Sequence, residues 1–391
     1  MFIHVLQSGE TLLGLSAKYK ISTTRIIEEN DLSHPYETIS GQSLWFRYPH
    51  RFYTVKGGDT IDSICKSERV TLRNLQLSNP WIASKARLFP GQIVATSSEE
   101  KSFGAFCICG FLKANDTLKE EILPFLTTLT LDGIPLGEVN EGKRNIIPKE
   151  DMPALLLGIQ IEKLVSFLEA EKDGECKLIA RLKNQHFSGI DIELSPFPQA
   201  YGVKLQKLHK ALANEGMPMW CHAKEGADED AWLSPLMQEA TFDAILFRNS
   251  KNKYSLTEQI QASTEACLLE KNSRIFPSLP CFGYQVTTSA NEEQKEAWIP
   301  LKEILLPAHK YGRSILRDPK TNLAYYSYST GAGRYRKRQE VYFEDPLSFS
   351  FAMSEMNRKE IGGICVNAGN PHLVFLWMIA SKWHIIQGNM R

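Results

Sequence analysis

The feature that most constrains this chain is a repeat at its front. Gly9-Glu10-Thr11-Leu12 returns as Gly58-Asp59-Thr60-Ile61, Leu15 as Ile64, and Ile21-Ser22 as Val70-Thr71, all at one unchanged spacing. Asn30 then answers to Asn79, and Gly41-Gln42 to Gly91-Gln92, after a one-residue difference in the connecting loop. Self-similarity over a whole unit means two copies of one small supersecondary element. Each copy opens on a short β-type run (Ile3 to Val5, Phe52 to Val55) and turns into a helix capped by Thr11 or Thr60. Each closes on another short strand, giving the order βααβ.

With that spacing seen twice, the repeat resembles the LysM module, placed here at 1–49 and 50–97. The resemblance implies binding of peptidoglycan or chitin-like glycan containing N-acetylglucosamine. The ligand would lie between the loop after the first strand and the loop before the last. Those loops hold Gly9, Glu10, Thr11, Asn30, Asp31 and Leu32 in the first copy, and Gly58, Asp59, Thr60, Asn79, Pro80 and Trp81 in the second. Gly, Thr and Asn at such positions also serve as turn and cap residues, and backbone groups exposed in such turns can still bond acetamido groups. Two weak sites in tandem reinforce each other through effective concentration.

The remaining sequence is long enough for one large domain. Apolar residues make up 43% and charged residues 23% of the 391, an ordinary globular balance. Lys plus Arg and Asp plus Glu both number 45, so no overall field draws the chain to nucleic acid or an anionic membrane. The basic run Arg334, Arg336, Lys337 and Arg338 around Tyr335 therefore reads as a solvated hairpin face or a contact for anionic wall polymer. Met1 to Val5 lacks the basic start of a secretion signal, and Gln7 to Glu10 interrupt it. The apolar run from Leu373 to Ala380 is well short of the ~20 residues of a membrane span and reads as a packed helix. Cysteines at 65, 107, 109, 176, 221, 267, 281 and 365 lack Cys-x-x-Cys spacing and read as reduced core thiols, with no metal and no cofactor implied.

After the polar stretch 97–101, a domain over 102–391 alternates apolar runs with helical patterns. The runs are Gly104 to Gly110, Phe125 to Leu131, Ala154 to Gly158, Gly189 to Leu194, Met217 to His222, Ala244 to Phe247, Ile275 to Phe282 and Gly362 to Val366. Eight such units predict an α/β fold, a TIM (β/α)8 barrel. The alternation breaks at about 301–344, where Tyr325-Tyr326-Ser327-Tyr328, a Gly331-Ala332-Gly333 turn and Glu340 to Asp345 predict a small α+β insertion. This barrel with its insertion resembles the family 18, chitinase-like glycoside hydrolases. With LysM modules in front, it resembles their spore branch of cortex-fragment-lytic N-acetylglucosaminidases.

The family places Asp-x-x-Asp-x-Asp-x-Glu on strand four; the final Glu is the acid, and the substrate's own N-acetyl group is the nucleophile in place of a second carboxylate. Phe187 to Pro196 can be laid on that pattern in two registers. One makes Glu193 the acid and Asp191 its orienting partner, with Gly189 and His186 on the two earlier Asp positions. The other puts Ser195 at the acid's place and leaves no catalyst. They differ by two residues, ~6.6 Å along a strand. Other family positions depart from pattern: Arg248 and Asn249 stand for a sugar-contacting Tyr-Asp, and Asn367 for a floor Trp, while Tyr284 is kept in Phe282-Gly283-Tyr284. Two functions follow: a retaining N-acetylglucosaminidase of cortex or wall glycan, or an inactive glycan-binding spore coat or wall protein that also meets coat proteins. Either is expected at the spore coat or cortex, or otherwise at the cell wall.

Overall fold

The computed structural model describes residues 2–19, 21–32, 38–46, 51–79, 82, 88–97, 105–113, 116–134, 153–194, 201–223, 242–246, 256–258, 260 and 274–385. At the front, β1 (Phe2–Val5) pairs antiparallel with β2 (Ser43–Phe46) around α1 (Leu12–Tyr19) and α2 (Thr23–Glu29). The second module repeats this with β3 (Arg51–Thr54), α3 (Ile61–Glu68), α4 (Leu72–Ser78) and β4 (Ile93–Ser97). Thr60 forms a reciprocal box with Ser63, and Thr11 Oγ1 accepts from Gly14 N at 3.1 Å, so both threonines cap as the sequence predicts.

The duplicated asparagines hold each module shut. Asn30 Nδ2 donates to Ile26 O and Trp45 O, both at 2.9 Å, while its Oδ1 accepts from Trp45 N at 2.6 Å. Asn79 repeats the clamp on Leu75 O, Ala95 O and Ala95 N, each at 2.7 Å. Both residues are buried. One amide thus ties the end of the second helix to the last strand, a position that no other side chain of that size fills with two donors and an acceptor.

The large domain is a closed ring of parallel strands. β5 (Ala105–Leu112), β6 (Thr128–Asp132), β7 (Ala154–Gln160), β8 (Gly189–Leu194), β9 (Met219–Ala223), β10 (Ala244–Leu246) and β11 (Arg274–Phe276) follow one another in register. Next in the chain comes a separate antiparallel sheet of β12 (Phe282–Thr288), β13 (Gln294–Pro300), β14 (Leu316–Arg317), β15 (Ala324–Thr330) and β16 (Lys337–Phe343), in the order β13-β12-β16-β15-β14. Its first two strands precede residue 301, where the alternation of the sequence breaks. The barrel resumes with β17 (Gly363–Asn367), which pairs with β5; Cys365 N donates to Pro277 O at 2.9 Å and Leu279 N to Cys365 O at 2.8 Å, closing the ring. A short β18 (His384–Ile385) adds to β5. Along each strand alternate residues face the helices or the barrel axis. Ile190 and Ile192 turn outward to the main core, whereas Cys107, Cys109, Leu156, Trp220, Leu246, Phe276 and Cys365 pack together inside.

Helices α5 (Ile161–Ala170), α6 (Gly174–Asn184), α7 (Gly202–Asn214), α8 (Leu306–Lys310), α9 (Pro346–Arg358) and α10 (Leu373–Lys382) surround the sheets. α10 is buried over most of its length, as its apolar run predicts. The first module docks on the small sheet and on the start of α9. Asp345 caps α9, pairs with both Nη atoms of Arg317, and accepts from Ser43 Oγ of β2 at 2.5 Å. Gly41 holds φ +85° with Ile315 O where its Cβ would be, and Ile315 N donates to Ser40 O at 2.9 Å. A side chain at 41 would part the two surfaces. The second module touches the barrel through buried Arg73, whose Nη2 lies 3.4 Å from Leu126 O.

Beside Asp345, Glu344 is buried, accepting from Leu256 N at 2.7 Å and from Ser348 Oγ. Burial pushes its carboxyl up to about 7 from the ordinary 4.5. The folded chain therefore holds this proton after the unfolded chain has released it, so this group's contribution is full below about 4.5 and is lost as pH rises to about 7. Thermal unfolding at several pH values should show Glu344→Gln flattening that part of the profile, by roughly 3 kcal/mol at most. A profile identical to the wild type would count against a protonated Glu344. For the clamp, Asn79→Ala strands buried backbone groups and should cost about 2–4 kcal/mol. It should also speed hydrogen exchange at the Ala95 amide; unchanged exchange there would show the clamp to be dispensable.

Candidate functional site

Four neighbouring strands place polar side chains on one side of the barrel's C-terminal mouth. β6 supplies Thr130 and Asp132, β7 Gln160, β8 Asp191 and Glu193, and β9 His222. Gln160, Glu193 and His222 stand level across three strands, and Asp191 lies one inward step deeper, level with Gly158 and Trp220. Gly158 leaves the space that the Asp132 carboxylate occupies, since a Cβ there would fall 1.9 Å from Asp132 Oδ1.

Asp191 has no exposed surface. Its Oδ2 accepts from Thr130 Oγ1 at 3.1 Å and its Oδ1 lies 2.8 Å from His222 Nδ1. A carboxylate this deep needs such partners, because burying a lone charge is costly. His222, itself only 3% exposed, directs its other nitrogen toward Glu193, with Nε2 3.9 Å from Oε2. Glu193 Oε1 accepts from Gln160 Nε2 at 3.2 Å, and its side chain keeps 30% of its surface open. Of the two carboxylates on β8, Glu193 is the one a ligand can reach.

The structure brings the predicted pair Asp191 and Glu193 to one face, with His222 bonded to Asp191 and 3.9 Å from Glu193. Asp191, expected to orient a sugar's acetamido group, is buried here and bonded to Thr130 and His222. His222, Gln160 and Thr130 escaped the sequence reading. The available signal was parity, since His222 follows Trp220 by two and so faces the barrel axis. Tyr284 lies on β12 in the small sheet, tilted against Trp298 with ring centres 5.2 Å apart. Asn367 is drawn into a turn, its Oδ1 accepting from Gly369 N at 2.9 Å and Asn370 N at 3.2 Å. Ser195, Arg248 and Asn249 lie outside the described residues, as do Pro80 and Trp81.

In the modules, Gly9 and Gly58 take φ +84° and +89° at the turn after the first strand. Glu10 Oε2 accepts from Gln7 N at 2.8 Å, and Asp59 Oδ2 from Lys56 N at 2.7 Å. Those backbone donors, joined by His4 for Glu10 and by Tyr53 for Asp59, hold both carboxyls below the usual range. Asn30 and Asn79, expected to line the glycan loops, direct their side-chain amides to internal clamps within each module. Thr11 and Thr60 stay at the exposed rim of the first loop. The described cysteines are in no disulfide with one another; Cys176 is exposed and Cys65 half-buried, whereas burial pushes Cys109 and Cys221 well up and Cys281 to about 12. Those three are inert as nucleophiles. No helix among the described residues is long and apolar enough to cross a membrane.

Comparison with known proteins agrees with this architecture. The LysM domain model matches residues 4–47 and 53–95. A relative in Bacillus subtilis, YdhD, assigned as a sporulation-specific glycosylase, is 33% identical over 86 residues, which is 22% of this chain and 20% of the relative. The matched part thus spans about a fifth of that relative's length. The spore cortex-lytic enzyme SleL of Bacillus megaterium superposes with TM-score 0.67 at 18% identity, over 98% of each chain. SleL of Bacillus cereus gives 0.65 at 18% identity, over 99% of each. Identity at this level shows a shared fold. This chain carries two LysM domains, followed by a barrel with the fold of the spore cortex-lytic enzymes.

Proposed function

We propose that this protein binds N-acetylglucosamine-containing glycan of peptidoglycan through its LysM domains, at 1–49 and 50–97, and cleaves it in the barrel of 102–391 with Glu193 as proton donor. The observation that carries the reading is a reachable carboxylate at the mouth of strand four, bonded by Gln160 and with His222 beside it. In the reaction, Glu193 protonates the leaving glycosidic oxygen while the sugar's own acetamido oxygen attacks the anomeric carbon. Water then opens the cyclic intermediate and returns a proton to Glu193, so configuration is retained. Asp191 contributes from below through His222. Spore cortex is the setting that the SleL likeness supports, with coat proteins as further partners; wall glycan elsewhere is the same chemistry. Tyr284, Arg248, Asn249 and Asn367 are the remaining candidates for holding sugar, and the Gly9 to Thr11 and Gly58 to Thr60 turns for holding it in the modules.

A second reading, a barrel that binds glycan without cleaving it, is favoured by two observations. Asn367 is folded into its own turn and offers no stacking floor, and Asp191 is too deep to touch an acetamido group. The two readings part in one experiment. Purified protein is mixed with cortex fragments and the products are weighed by mass spectrometry, alongside Glu193→Gln. Hydrolysis predicts new N-acetylglucosamine reducing ends from the wild type and a loss of at least about 10²-fold in Glu193→Gln, with equal retention of both proteins on insoluble peptidoglycan. Wild-type retention without products supports the binding reading, and cleavage that survives Glu193→Gln names the wrong acid.

A further inference from the structure

We infer that the seam between the first LysM domain and the barrel domain is a glycan subsite, a cavity built from both that takes the acetamido group of an N-acetylglucosamine residue held at the module's second loop. The inference rests on the glycan-binding reading above and deepens it, since one wall of the subsite belongs to the barrel domain. The cavity encloses about 110 Å³. Its walls are largely apolar, with Leu32 and Leu44 from the module and Ile304, Leu305, Ile315 and Val374 from the barrel side. An aliphatic-lined space of ~150 Å³ takes up benzene, and an acetamido group is smaller.

His372 also lines this cavity, and its Nδ1 is buried without a hydrogen-bond partner. The residue precedes α10 as its N-cap but makes no side-chain capping bond, and its ring lies against Phe375 with centres 4.2 Å apart. Burial, aided by the nearby Lys302 charge, draws its pKa down to about 3 from the ordinary 6.5, so the ring is neutral and able to accept at one nitrogen. A buried polar atom left unbonded is costly, and a ligand that bonds it relieves that cost. The mouth lies at the module's second loop, where Asp31 Oδ2 and Lys302 Nζ meet at 3.3 Å, both partly exposed, and where Leu306 is 41% exposed. A sugar at this mouth finds a carboxylate and an ammonium for its hydroxyls. Its acetamido group turns inward, the methyl against the apolar walls and the amide N–H donating to His372 Nδ1. The ammonium of a deacetylated sugar is excluded, because a charge is costly to bury in such a space. The second module forms no such seam among the described residues. Phe89, the match of Ile39, is 65% exposed, and Gly91 has open space where its match Gly41 meets Ile315 O.

The test is methyl NMR of the full chain with carbon-13 in its isoleucines, in a Glu193→Gln background so that the probe stays whole. Ile304→Val and Ile315→Val assign the resonances at the cavity, and Ile61→Val assigns the residue that follows the second module's Gly58 to Thr60 turn. The probes are the tetramers of N-acetylglucosamine and of glucosamine. The acetylated tetramer should shift Ile304 and Ile315 saturably and the deacetylated one should not. His372→Phe, which keeps a ring against Phe375, should weaken the affinity read at Ile304 by about three- to tenfold while leaving that read at Ile61 unchanged. Leu306→Trp narrows the mouth from an exposed position and should weaken it too, which keeps the test intact if His372→Phe does not fold. A shift at Ile61 with Ile304 and Ile315 unmoved, as for a cavity that holds water alone, overturns the subsite and leaves the glycan-binding reading standing. Equal shifts from the two tetramers, or unchanged affinity in the variants, also overturn it. No shift at any of the three refutes glycan binding by the modules, and the subsite with it.

Discussion

Three parts of this molecule meet at one carboxylate. Asp345 caps α9 of the barrel, receives the Arg317 guanidinium from the small sheet, and accepts the Ser43 hydroxyl from the first LysM domain. Charge-assisted bonds to a nearly buried group are about twice as strong as neutral ones, and the loss of any donor leaves a charge short of partners. Close approach of the surfaces follows from the same contact, since Gly41 lets the Ile315 backbone reach the module. Trp45 of β2 is then buried in the same apolar core as the barrel helices. The front module is thus built into the large domain.

The barrel interior divides by strand. Its deeper layers, and the sides formed by β10, β11 and β17, are filled by Ala244, Leu246, Phe276 and Cys365, whereas polar groups gather on β6 to β9. A polar group among apolar neighbours has to bring its own partner, which is why Asp191 comes with Thr130 and His222. The result is a low-dielectric wall on one side of the mouth and a hydrogen-bonded chain on the other. Electrostatic interactions along that chain are strengthened by the wall opposite.

The βααβ repeat could be read from sequence because its spacing is fixed by local geometry: caps at Thr11 and Thr60, turns at Gly9 and Gly58, clamps at Asn30 and Asn79. The eight barrel strands could be read because buried parallel strands are continuous apolar runs. The insertion was placed by its aromatic strands, but its sheet begins earlier, at Phe282, because polar strands such as Gln294–Pro300 lack the apolar signature of the barrel strands. The site was only half legible. Parity put Asp191 and Glu193 on one face, but depth depends on the tilt and stagger of eight strands together, and one step separates a sealed carboxylate from a reachable one. The partners Gln160 and His222 come from strands distant in sequence, so no local spacing marks them. The clamping by Asn30 and Asn79 was not legible, since a short motif does not say which way an amide points.

Docking changes what a tandem of weak sites can do. Two modules on a flexible tether reinforce each other through an effective concentration set by linker length. Here the first is fastened at Asp345 and Ile315, and the second leans on the barrel through Arg73, so that their spacing from each other and from the barrel is largely set before a glycan arrives. Pre-set geometry lowers the ordering cost of binding, and it penalises any strand whose sugars cannot meet both turns at once. On the function proposed above, modules held in this way would select for the shape of a glycan as well as its chemistry.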